Sequence, residues 1–87
     1  MMYVKYFTSY CDIKINMNIA KTVGENLKQA RRDKKLTQKE VAASFNMTQQ
    51  QYSRFENGVF ELNYGQIISL CKLYDITPNE LFSFDKN

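Results

Sequence analysis

Residues 36–58, Leu36-Thr-Gln-Lys-Glu-Val-Ala-Ala-Ser-Phe-Asn-Met-Thr-Gln-Gln-Gln-Tyr-Ser-Arg-Phe-Glu-Asn-Gly58, decide how this chain folds. Thr37 followed three residues later by Glu40 forms a capping box, in which each side chain bonds the other residue's backbone amide, so a helix starts there. Thr48 with Gln51 repeats the device and starts a second helix. Val41, Ala42 and Phe45, and then Tyr52 and Phe55, recur at helical spacing. Asn46 stands where the chain must reverse, and Asn tolerates the left-handed backbone better than most residues. Gly58 closes the second helix as a C-terminal glycine does. Ala42 is small enough for the two helices to cross closely. The spacing predicts a helix-turn-helix.

With Tyr52 and Phe55 turned inward, the other side of the second helix carries Gln49, Gln50, Ser53 and Arg54, without an acid. A glutamine amide pairs with adenine, and an arginine guanidinium grips guanine O6 and N7 in the major groove. Amides and a guanidinium on the N-terminal turns of a helix suit base recognition, which makes Gln49, Gln50 and Arg54 the candidate base contacts. The competing reading is an ordinary solvated polar face.

Residues 23–82 resemble the lambda-repressor-like, Cro-type helix-turn-helix domain (XRE family). The resemblance rests on Leu36-Thr37-Gln38, Val41-Ala42, Met47-Thr48, Tyr52-Ser53 and Glu56-Asn57-Gly58. It implies an all-α fold, a compact bundle of five helices, double-stranded DNA as partner, a homodimer, and transcriptional regulation. It further implies that Gln38 bonds the DNA backbone and braces Gln49, and that Thr48 and Ser53 touch the backbone as well. Such contacts fix register and carry no sequence information. The first turn of the helix that Gln38 opens also has free amides suited to phosphate. In the family, an arginine at the position of Arg31 pairs with the acid at Glu56, so these two are read as scaffold. The family's C-terminal region commonly forms the dimer contact. Phe82 and Phe84 are assigned there, against the alternative that they close the core.

Eighty-seven residues make one small domain with one modest core. The net charge is only +3, but residues 19–58 hold eight Lys and Arg against four acids. A basic half facing phosphates fits that distribution. Cys11 and Cys71 have no metal-ligand spacing and histidine is absent, so no cofactor or metal is expected. Cys71 lies in a helical apolar pattern and is read as a small core residue, in a reducing cytoplasm. No apolar run reaches membrane-spanning length, and no small-molecule ligand is evident.

Residues 1–18 stand apart as an extension of open role. Tyr3, Val4, Tyr6, Phe7 and Tyr10 favour strand, and Ile13, Ile15 and Met17 alternate with polar residues, so a short strand, a hairpin or disorder are all open. Met17 offers an alternative start. The domain is placed at 19–84, with 85–87 as a tail. Helix 1 is expected from about Ile19 to Lys34, or from a later start if Thr22 and Glu25 cap it. Arg31, Arg32, Lys34 and Lys35 crowd its last turn, where cations suit the helix dipole.

After Gly58, Val59-Phe60-Glu61-Leu62 lacks the basic residue that relatives place there, and Glu61 repels phosphate. This departure predicts milder salt dependence and leaves Phe60 to pack on the core or on a partner. Asn63 with Gln66 starts helix 4, which carries Ile67, Leu70, Cys71 and Tyr74, although Gly65 weakens its first turn. Asp75 replaces the usual glycine at the next turn. Thr77-Pro-Asn-Glu80 starts helix 5, which holds Leu81 and Phe82.

The leading function is sequence-specific DNA binding by a small regulator on an inverted repeat. The alternative is a protein-interaction or antitoxin-type adaptor on the same fold, which the Glu61 loop favours. An adaptor has no need of Gln49, Gln50 and Arg54 together. An enzyme is disfavoured, since no nucleophile–base pair, glycine-rich phosphate loop or metal cluster is in view.

Overall fold

The computed structural model describes the backbone of residues 9–84 and the side chains of residues 19–84. Among the described residues five helices follow in order: α1 Ser9–Asp33, α2 Gln38–Ser44, α3 Gln49–Glu56, α4 Tyr64–Tyr74 and α5 Pro78–Leu81. No strand occurs among the described residues.

Each of α2 to α5 begins with a complete capping box: Thr37 with Glu40, Thr48 with Gln51, Asn63 with Gln66, and Thr77 with Glu80. Gly65 does not disturb the third of these. Each of α1 to α4 ends in one pattern, a left-handed residue followed by an apolar one. Lys35, Asn46, Gly58 and Asp75 take φ of 60°, 57°, 74° and 56°. The amide of the next residue reaches back to the carbonyl five positions earlier: Leu36 to Arg31, Met47 to Ala42, Val59 to Arg54 and Ile76 to Cys71, at 2.9–3.1 Å. These are Schellman motifs, which satisfy carbonyls that a helix end would otherwise leave unpaired.

The N-terminal expectation needs correction. The backbone from Ser9 onward is helical, so α1 takes in the ten residues before Ile19, and the alternation of Ile13, Ile15 and Met17 belongs to no strand. Thr22 and Glu25 therefore lie inside α1 and cap nothing. The strand or disorder reading of residues 1–8 falls outside the described residues. At the other end, α5 stops at Leu81, and Phe82 is its C-cap.

The core gathers Val23, Leu27 and Ala30 of α1, Val41 and Ala42 of α2, Tyr52 and Phe55 of α3, Leu70, Cys71 and Tyr74 of α4, and Leu81 of α5. Burial pushes the Cys71 thiol up from its ordinary value, which keeps it a protonated apolar filler. Gly24 sets the crossing of α1 and α3. A Cβ there would lie 2.7 Å from the Phe55 carbonyl oxygen, closer than packed atoms come. Asn26 joins α1 to the C-terminal turn, its amide donating to Leu81 O (2.7 Å) and Ser83 Oγ (2.9 Å). No helix among the described residues is long and apolar enough to cross a membrane.

Candidate nucleic-acid interface

The inner face of α3 anchors the helix, and its outer face is open. Inside, Glu56 is the one buried charged residue described, and its carboxylate is saturated with donors. Arg31 Nε donates to Oε2 at 2.7 Å, Arg31 Nη2 to Oε1 at 3.2 Å, and the Gln38 amide to Oε1 at 3.0 Å. Arg31 Nη1 also donates to the Leu36 carbonyl, at 2.9 Å, tying the end of α1 to the entry of α2. Burial alone would raise the Glu56 carboxyl, but the bonds from Arg31 and Gln38 outweigh it and hold the group below its ordinary range. The same pair raises Arg31.

Beside this carboxylate the hydroxyls of Tyr52 and Tyr74 share a buried hydrogen bond of 2.6 Å that links α3 to α4. Burial pushes both phenols up, Tyr74 to about 12 and Tyr52 further, so both stay neutral. Nothing in the sequence marks these hydroxyls, because tyrosines at core spacing read only as apolar bulk.

Outside, Gln49, Gln50, Ser53 and Arg54 line one open cleft together with Gln38 of α2. The Gln49 amide donates to Gln38 Oε1 across 3.4 Å. A polar chain therefore runs from Arg31 through Glu56 and Gln38 to Gln49, from the scaffold to the first outward residue of α3. Thr48 lies at the start of the same helix, outside the cleft lining, and its hydroxyl oxygen accepts the Gln51 amide at 3.1 Å. Ser53 is half-buried and accepts a long bond from Asn57. At the head of α2, Glu40 already takes the Thr37 amide (2.8 Å), which removes one of the donors that would face a phosphate.

Arg54 is exposed, with its Cζ 5.5 Å from the centroid of the Phe60 ring. The sequence signals this contact only by placing Phe60 in a loop where relatives carry a basic residue. Phe82 and Phe84 lie elsewhere, 39% and 73% exposed, so neither closes the core. Phe82 instead lines an apolar cleft of about 150 Å³ with Ile19, Val23 and Phe60. Among the described residues no group of His, Cys, Asp and Glu is placed to hold a metal ion.

A family model described as a helix-turn-helix domain matches residues 24–83. The chain is 33% identical over 63 residues to a Bacillus subtilis (strain 168) protein, YqaE, described as an uncharacterized HTH-type transcriptional regulator. That match covers 72% of this chain and 54% of the relative, so the chain spans about half the relative's length. No solved structure matches the chain. The capped helix pair, the anchored inner face of α3 and a family match over most of the sequence agree: the chain belongs to the helix-turn-helix domain family.

Proposed function

We propose that this chain is the DNA-binding module of a transcriptional regulator, with α3 in the major groove of double-stranded DNA. Gln49, Gln50 and Arg54 read base edges, and Gln38, Thr48 and Ser53 bond the sugar–phosphate backbone. The observation that carries this reading is the open cleft where Gln38, Gln49, Gln50, Ser53 and Arg54 meet with no acid among them. Arg31 and Glu56 hold that cleft in shape from behind. The family match and the regulator description of the Bacillus subtilis relative support the same reading. Binding as a homodimer through the exposed Phe82 and Phe84 would place two α3 helices about 34 Å apart, one turn of B-DNA, on an inverted repeat.

The test is selection of duplexes from a random-sequence pool by the full chain, alongside the variant Gln49→Ala, Gln50→Ala, Arg54→Ala. The expected outcome is an enriched motif with the native chain, and only weak, salt-sensitive and sequence-blind binding with the variant. A native chain that enriches no motif would overturn the reading and favour the adaptor role, for which the exposed Glu61 loop is the structural argument.

A further inference from the structure

The loop after α3 departs from a phosphate-binding surface. Val59, Phe60, Glu61 and Leu62 offer no cation, and Glu61 is an exposed acid. What this loop does offer is the Phe60 ring, half-exposed and lying against Arg54. We propose that Phe60 is a specificity-determining residue, holding the Arg54 guanidinium so that its in-plane N–H groups face a guanine. The inference rests on the base-reading role of α3 given above.

Two features of the geometry support it. The Arg54 Cζ lies 5.5 Å from the Phe60 centroid, within cation–π range, and a guanidinium held over a ring by its flat face keeps its in-plane donors free for O6 and N7. Arg54 is exposed and lines the open cleft, so its donors face outward. The ring is itself supported. It lines the apolar cleft with Ile19, Val23 and Phe82 on one side, and the surface depression with Met47 and Gln51 on the other.

A free arginine side chain loses much rotamer freedom on binding, and an aromatic rest that narrows its rotamers beforehand reduces that loss. The loop thus contributes to readout without touching the DNA. Its lack of cations fits this role, since a lysine at position 60 would repel Arg54.

The experiment uses duplexes recovered by the selection above and substitutes each base pair in turn. Binding is measured for the native chain and for Arg54→Ala, Phe60→Leu and Phe60→Tyr, each shown to be folded by circular dichroism and thermal melting. Arg54→Ala is expected to abolish the preference for G·C at one position. Phe60→Leu keeps apolar volume but loses the π-face. It should weaken that same preference about two- to five-fold, the size of an exposed cation–π contact, and leave the other positions unchanged. Phe60→Tyr should retain the preference.

A Phe60→Leu chain with its preference intact, or with affinity lowered evenly at every position, would overturn the proposal while the role of Arg54 stands. Full preference in Arg54→Ala, or no duplex recovered at all, would remove the base-reading role and this inference together.

Discussion

On its inner face α3 presents Tyr52, Phe55 and Glu56, and every polar atom described there has a protein partner. On its outer face, turned away from the core, Gln49, Gln50 and Arg54 offer amides and a guanidinium that the fold barely uses. Eight residues therefore divide into a half that is finished when the protein folds and a half that is not. Buried polar groups must be satisfied internally because water is excluded, whereas exposed ones can wait for a ligand. Stability and recognition should consequently respond to different substitutions on one short helix.

The sharpest way to break that division is Arg31→Ala. It leaves the Glu56 carboxylate, whose side chain is wholly buried, without its cation, and removing one partner of a buried pair destabilises by about 3–5 kcal/mol. Denaturant unfolding at several pH values would check both size and sign. In the native chain the Glu56 value is lowered, so its contribution is full above the unfolded value of about 4.3 and fades as pH falls through the folded one. In the variant, burial without Arg31 raises the value, so acid should relieve part of the loss.

Gly24→Ala is expected to follow closely, at about 3 kcal/mol, because the added Cβ overlaps backbone of α3 that has no rotamer to change. Its thermal midpoint should fall far more than that of an exposed-helix substitution such as Glu25→Ala.

Tyr74→Phe should cost about 1 kcal/mol, since it removes the buried bond between the Tyr52 and Tyr74 hydroxyls. The phenols are raised in the folded state, so their protonated forms stabilise fully below about pH 10, the unfolded value. That stabilisation is lost as pH rises from there towards about 12 for Tyr74. Alkaline melting curves of native chain and variant should therefore diverge less above pH 10 than below it.

The smallest stability effect is expected on the outer face. Gln50→Ala should move the unfolding free energy by less than about 0.5 kcal/mol, the usual range for surface changes. In the same variant, discrimination at one base pair should fall by about 1–3 kcal/mol. A Gln50→Ala chain that unfolded easily yet kept its discrimination would reverse the comparison between the two faces.

Much of this arrangement can be traced to short-range signals. The helix pair around Asn46, the starts at Thr37, Thr48, Asn63 and Thr77, and the turns at Gly58 and Asp75 all follow from residues within five positions of each other. Lys35 does not announce itself, because lysine has no preference for the left-handed conformation that the Leu36 bond imposes on it. Aromatic and β-branched residues near the N-terminus imitate strand, and Thr22 with Glu25 imitates a cap, which together hide the N-terminal part of α1.

For the candidate site, the residue types on α3 indicated which side chains would face outward. Its supports were less legible. The Tyr52–Tyr74 bond and the Arg54–Phe60 contact join residues whose meeting depends on how helices and loops pack. Gly24 belongs with them, since only the position of α3 shows why no side chain fits there.

The four capping boxes and four Schellman ends also bear on how quickly the fold is found. Each spans three to five residues, so the boundaries of the helices can form before any two helices meet. The remaining search is over the relative placement of short, already delimited rods. Small helical bundles dominated by such local contacts fold on the order of microseconds to milliseconds. A nascent chain of this kind would spend little time with its apolar stripes uncovered.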